Sequence, residues 1–155
     1  EGLTDSKKLS KKKRDYFYEV IQKDALAIGI GIVDNKKIDE INILEASRLA
    51  MKKAINSLSI KPDIILTDAM RLDMGIPEED IIKGDLKSIT ISAASVIAKV
   101  TRDKMMEKLH EKYPMYNFIK NNGYPTKEHI EAIKKYGIIK EHRKSFRPIK
   151  DTINN

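Results

Sequence analysis

The segment Lys83-Gly84-Asp85-Leu86-Lys87-Ser88-Ile89-Thr90-Ile91-Ser92-Ala93-Ala94-Ser95-Val96-Ile97-Ala98 constrains this chain more than any other. A Gly-Asp pair stands at a turn, a short β-type run follows, and small residues from Ser92 open a helical pattern. Small side chains let such a helix pack closely against the turn. Seventeen residues before Asp85, Asp68 closes the apolar run Ile64-Ile65-Leu66-Thr67. Continuously apolar runs of this length read as central strands covered on both faces. The chain is therefore expected to set two acids at the rims of apolar elements.

The other elements alternate around that pair. Ser10 is placed to cap a helix in which Tyr16, Phe17, Val20 and Ile21 recur at helical spacing. Residues 25–33 read as a strand, with Ile28, Ile30 and Ile32 on one face and Gly29 and Gly31 on the other. Two glycines on one face predict close approach by a helix or another backbone. Residues 42–58 read as a helix capped by Asn42 with Glu45 completing the box; Arg48 lies on its apolar seam, snorkelling or pairing with an acid. Residues 63–68 form the apolar strand and 69–80 a loop. The helix that the small residues open should run to about Tyr113, with Val96, Ile97, Val100, Met105 and Leu109 inward, and Pro114 ends it. Thr126 caps a helix over 127–136, with Gly137 at its left-handed C-terminal position. The tail, 138–155, is basic. Alternating helices and strands make the fold class α/β.

At 155 residues this is one domain, and 41% hydrophobic content supports a folded core. There is no cysteine, so disulfides, thiolate zinc sites and thiol nucleophiles are excluded. The longest apolar run, 25–33, is too short to span a bilayer, and no signal peptide is visible, which makes a cytoplasmic protein the expectation. A net charge of +7 suits a polyanionic partner. Ser and Lys residues near the N-terminus, Ser6 and Lys7 among them, suit phosphate oxygens, although spacing alone favours a solvated lysine-rich helix entry.

Two carboxylates that met at the end of a central strand would repel unless a cation neutralised them. Oxygen-only ligands select Mg²⁺ or Mn²⁺ over zinc. Such a site beside basic residues suits phosphodiester chemistry. The residues alone leave a structural alternative open, in which Asp68 ends a strand and Asp85 caps a turn. His110, His129 and His142 show no metal-type spacing, and His129, in the first turn of a short helix, reads as a surface residue. No phosphate-binding glycine loop of either nucleotide type occurs.

Several stretches together resemble bacterial ribonuclease HII. They are Leu3-Thr4-Asp5-Ser6-Lys7-Lys8-Leu9-Ser10, Ile41-Asn42-Ile43-Leu44-Glu45-Ala46-Ser47, Leu66-Thr67-Asp68-Ala69, Lys83-Gly84-Asp85 through Asp103, Gly123-Tyr124-Pro125-Thr126-Lys127-Glu128-His129 and His142-Arg143-Lys144-Ser145-Phe146. The resemblance implies one ribonuclease H-like domain over 1–155, a mixed β-sheet flanked by helices, with a basic C-terminal helical segment. It implies a metal-dependent endonuclease that cleaves RNA in RNA–DNA hybrids, including single ribonucleotides embedded in duplex DNA, and leaves 5′-phosphomonoesters. Asp68 and Asp85 match the third and fourth of the family's four metal-binding, catalytic carboxylates, with Mn²⁺ or Mg²⁺ as cofactor. Tyr124 matches the tyrosine that stacks on a sugar beside the junction, and Ser6 and Lys7 match the loop that holds substrate phosphates. The full-length protein is expected to act as a monomer without membrane contact.

The chain departs from the family pattern in two places. The Asp-Glu and Gly-Arg-Gly motifs of the family's first strand do not occur ahead of Glu1, and Asp39-Glu40 has no Gly-Arg-Gly after it. The fold is therefore expected to be N-terminally incomplete, and these residues alone to be inactive. Asn122 stands where a lysine is common, which removes one candidate phosphate contact. A non-catalytic basic nucleic-acid-binding module is the alternative function.

Overall fold

The computed structural model describes residues 2–154. The chain folds as two compact units, Glu1–Val33 with Leu44–Val100 and Asp34–Ile43 with Thr101–Asn155. In the first unit, helix α1 spans Lys11–Asp24, and the Ser10 side chain accepts a hydrogen bond from the Lys13 N–H, as its N-cap position predicts. The preceding turn is pinned by Arg14, whose Nη1 donates to the Ser6 and Leu9 carbonyls at 3.2 and 2.6 Å. Leu9 then packs with Val96 and Val100 in a cluster flanked by Leu3, Phe17, Tyr18 and Ile21. Burying side chains of this size contributes about 1.5–3 kcal/mol each.

Residues 25–33 form no strand and join no ladder among the described residues. This corrects the expected strand, though its two faces are as expected. Leu26, Ile28, Ile30 and Ile32 are exposed. Gly29 and Gly31 lie against helix α2, Asn35–Asn56. A Cβ on Gly31 would stand 1.9 Å from the Ala50 carbonyl oxygen, and one on Gly29 would stand 2.1 Å from that of Ala54. The glycines are thus required by a backbone-to-backbone approach that no side chain allows. Helix α2 is two helical segments that meet at Asn42, which takes the non-helical angles φ 71° and ψ 169°. The second segment thus begins directly after Asn42, where the sequence pattern starts the helix, and an additional segment from Asn35 precedes it. Arg48 does pair with an acid: its Nη1 meets Glu45, and its Nε donates to the Arg71 carbonyl at 3.1 Å.

Strand β1, Ile65–Thr67, pairs in parallel with β2, Glu78–Asp80, in the register Ile65 to Glu78 through Thr67 to Asp80. These are the described strands, and the sheet they form is parallel rather than mixed. The polar triplet of β2 falls where a loop is expected. Its role is visible in Glu78, whose carboxylate accepts from the Leu72 and Asp73 N–H groups, both at 2.8 Å, and folds the connection back over the sheet. Helix α3, Gly84–Lys87, and helix α4, Ile89–Lys112, replace the expected β-type run at 88–91. Val96, Ile97 and Val100 are buried as predicted, whereas Met105 is 47% exposed.

In the second unit, α4 ends before a 3₁₀ turn at Pro114–Tyr116, and short helix α5, Phe118–Asn121, follows. Helix α6, Lys127–Tyr136, is capped by Thr126, which accepts from the His129 N–H. Gly137 has φ 80° but ψ −168°, a glycine-only extended conformation in place of the expected left-handed one. Helix α7, Ile149–Ile153, is the helical part of the basic tail. Tyr116, Phe118, Ala132, Ile133 and Ile149 form this unit's core.

The glycine contacts predict a stability effect. Gly31→Ala should lower the unfolding free energy by about 1–3 kcal/mol, the usual cost of overpacking. Leu26→Ala, at a side chain 91% exposed, should change it by no more than about 0.5 kcal/mol. Urea denaturation measures both, and equal effects would contradict the packing described.

Candidate active site

Asp68 follows the last residue of β1, and the chain turns at once through Ala69 at φ 51°. Lys83, at φ 56°, turns the chain again just before Gly84. Left-handed conformations at non-glycine residues are costly and collect where geometry matters more than stability. Between these turns the Gly84 N–H donates to Asp68 Oδ1 at 3.0 Å. Gly84 is buried, and a Cβ there would lie 2.6 Å from Ile91 Cδ1 and 3.4 Å from the Asp68 Cα. The missing side chain therefore lets α3 seat its first turn against the end of β1, which sets Asp85 next to the residue bonded to Asp68.

Asp85 is held by its main chain. The Ser92 hydroxyl lies 2.6 Å from the Asp85 carbonyl and 2.9 Å from that of Ser88. Buried Ser92 so ties α3 to the start of α4, and its carbonyl accepts from the Ser95 hydroxyl at 2.8 Å. The small residues of this stretch are thus used as close contacts and as hydroxyl donors. Asp85 is partly exposed and Asp68 exposed, so both carboxylates reach solvent. Among the described residues no group of three or more His, Asp or Glu side chains converges as a metal site. Asp68 and Asp85 would offer a metal two oxygen donors, the hard type that Mg²⁺ or Mn²⁺ takes, and other donors would have to complete its coordination.

In the same unit Ser6 is buried and Lys7 exposed. The Asp5 carboxylate accepts from the Lys7 N–H at 2.9 Å, and the Asp5 carbonyl from the Lys8 N–H at 2.9 Å. The turn thus presents the Lys7 side chain to solvent, while Ser6 belongs to the turn's interior.

Tyr124 lies in the second unit, its side chain 69% exposed. Its backbone is fixed on every side. Asn122 and Gly123 precede it at φ 51° and 82°. The Asn121 side chain donates to the Tyr116 carbonyl at 2.6 Å and accepts from the Gly123 N–H at 2.8 Å. Arg102 Nη1 donates to the Asn122 carbonyl at 3.2 Å. The Tyr124 carbonyl faces the Thr126 N–H at 2.9 Å and His129 Nδ1 at 2.8 Å. An exposed ring on a hydrogen-bonded backbone is compatible with stacking by a base or sugar.

His129, expected at the surface, is 3% exposed. Its Nε2 meets His142 Nε2 at 3.2 Å, and Tyr116 and Phe118 pack edge-on against its ring. Burial pushes the His142 pKa below its ordinary 6.5; neighbouring His129 adds to the shift, and Glu141 opposes it. Arg143 is half-buried over the Phe146 ring, and its pKa is lowered by burial and then by Arg102. Asp39 organises the following turn: it accepts from the Lys144 and Ser145 N–H groups at 2.9 Å and from the Ser145 hydroxyl at 2.5 Å. Burial pushes its pKa up, but the Ser145 and Lys144 bonds outweigh that and hold it below the usual range. Sequence reasoning missed Arg102 and the two histidines; the only available signal was their presence inside the motif stretches.

A strand end followed by one acid, a close-packed glycine followed by a second, and a net charge of +7 are the features of this α/β protein that bear on its function. The chain belongs to the ribonuclease HII family, whose sequence model matches residues 1–149. It is 59% identical over 152 residues to ribonuclease HII of Bacillus cereus strain Q1, a match covering 98% of this chain and 59% of that protein. It is 56% identical over 154 residues to ribonuclease HII of Bacillus cytotoxicus, covering 99% of this chain and 60% of that one. The chain thus spans about three-fifths of the length of these relatives. Its structure is similar to the crystal structure of ribonuclease H2 from Pyrococcus horikoshii OT3, with TM-score 0.78, 29% identity, and coverage of 97% of this chain and 79% of that one. The ribonuclease H-like fold expected from the motifs is therefore the fold the chain has. No helix among the described residues is long and apolar enough to cross a membrane.

The histidine pair carries a pH prediction. A lowered folded-state pKa means His142 contributes stability above about pH 6.5, which is lost as pH falls towards the depressed value. The urea midpoint should drop between pH 7 and pH 5, above the range in which carboxylates such as Asp39 titrate. A midpoint constant over that interval would contradict the lowered pKa of buried His142.

Proposed function

We propose that this chain serves a metal-dependent endonuclease that cleaves RNA in RNA–DNA hybrids, including single ribonucleotides within duplex DNA, leaving 5′-phosphomonoesters. The observation that supports the reading is the Gly84 N–H bond to Asp68, which seats the residue before Asp85 against the end of β1 in a member of the ribonuclease HII family. Asp68 and Asp85 hold the divalent ion, Mn²⁺ or Mg²⁺. When bound, that ion supplies charge neutralisation at the scissile phosphate and lowers the pKa of a water. The residues of this chain do the rest by positioning. Lys7 contacts substrate phosphate from the turn that buried Ser6 shapes. Tyr124 stacks on a sugar beside the junction. Phosphate contacts fix register and carry most of the affinity, so binding falls steeply with salt. Cleavage requires the 2′-hydroxyl, the group that separates RNA from DNA. The whole is a single ribonuclease H-like domain, and the protein acts as a cytoplasmic monomer.

Two carboxylates are too few to hold the ion and orient a water, so the 155 residues alone should not turn over. The test joins this chain to the two-fifths of a Bacillus relative that it does not cover. Asp68→Asn there should lower cleavage of a DNA–RNA–DNA duplex by at least about 100-fold, since several kcal/mol of charge stabilisation is lost. Folding should persist, because the Asn oxygen still accepts from Gly84. Chelating the metal should abolish activity, and an all-DNA duplex should stay intact. Full activity in Asp68→Asn, or equal cleavage of all-DNA substrate, would overturn the reading. Cleavage by the 155 residues alone would overturn the claim that two carboxylates are too few.

A further inference from the structure

The His129–His142 pair lies outside the carboxylate site, and three of its hydrogen bonds determine where its protons are. A backbone N–H can only donate, and the Ile139 N–H meets His142 Nδ1 at 2.9 Å. His142 Nδ1 therefore carries a lone pair, and neutral His142 carries its proton on Nε2. A carbonyl can only accept, and the Tyr124 carbonyl meets His129 Nδ1 at 2.8 Å. His129 Nδ1 therefore carries a proton. Between the rings, the two Nε2 atoms are 3.2 Å apart, and one proton must serve both. His142 Nε2–H donates and His129 Nε2 accepts. This single assignment makes all three bonds with both rings neutral, whereas a proton on each Nε2 would set two donors against each other.

The relay runs in one direction, from the Ile139 N–H through His142 and His129 to the Tyr124 carbonyl. Its surroundings hold it in place: Asn35 Nδ2 donates to the His142 carbonyl at 3.0 Å, and the Tyr116 ring stands edge-on to both imidazoles. The last acceptor is the main chain of the exposed residue that presents its ring to solvent. We propose that His129 and His142 are positioning residues for Tyr124, a neutral-imidazole relay that fixes the ring against which a hybrid substrate stacks. The inference rests on the reading of Tyr124 as a substrate contact.

Two measurements test it. In the wild-type chain, ¹⁵N imidazole shifts at pH 7.5 should show His142 as the Nε2–H tautomer and His129 as the rarer Nδ1–H tautomer. His129 in the Nε2–H form would overturn the relay. The second is a binding cycle on a DNA–RNA–DNA duplex, in chelator so that no cleavage intervenes. Tyr124→Ala should weaken binding about tenfold, the scale of one stacking contact. His129→Phe, which removes the donor, should weaken it about fivefold alone but by less than about twofold when Tyr124 is already Ala. His129→Asn, which restores an N–H near the Nδ1 position, should bind within about twofold of wild type. Additive losses, or no rescue by Asn, would overturn a role exerted through Tyr124. Unchanged binding in Tyr124→Ala would overturn the substrate reading and the positioning role with it, while the tautomers would still report the relay itself.

Discussion

The chemistry proposed for this protein depends on one short contact, the Gly84 N–H against the Asp68 carboxylate at 3.0 Å. It exists because residue 84 has no side chain: a Cβ would meet Ile91 at 2.6 Å and force the first turn of α3 away from the end of β1. The two residues that flank this arrangement, Ala69 and Lys83, take left-handed backbone conformations. Strain of that kind persists only where surrounding structure holds it. Here the holding is done by the β1–β2 ladder, by Glu78 clamping the connection between the strands, and by the Ser92 hydroxyl at the head of α4.

The second unit presents the proposed stacking residue, Tyr124, with its ring exposed. Its loop has an unusual density of side-chain bonds to main-chain groups, from Asn121, Arg102 and His129. Two of those side chains are charged or titratable, and the histidine is buried with a second imidazole against its Nε2. A buried polar network of this kind is favourable only when every member is satisfied.

What the sequence revealed follows from how local each signal is. Ser10, Pro114 and Thr126 act on residues within a turn of themselves, and their elements begin or end as predicted. Gly29 and Gly31 signalled close approach, and α2 makes it, although the ladder expected for that stretch is absent among the described residues. β2 was invisible because Glu78-Glu79-Asp80 lacks any β-type pattern; its strand character comes from pairing with β1 and from the Glu78 clamp. Ile89, Thr90 and Ile91 are β-branched yet begin helix α4, since packing at Gly84 overrides propensity. His129 looked like a surface residue because its partner stands thirteen positions on, and no local pattern encodes that contact. Asp68 and Asp85 were candidates by residue type, but only their motif context separated ligand from turn residue.

The central claim is that Asp68 and Asp85 form one cation site. Its most direct test is Mn²⁺ titration of the ¹⁵N-labelled chain, following paramagnetic broadening residue by residue. Broadening should begin at the amides of Gly84, Asp85 and Ala69 and disappear from them in the Asp68→Asn, Asp85→Asn double variant. Broadening spread evenly over exposed acids such as Asp15, Glu40 and Asp151, and unchanged in the double variant, would contradict it.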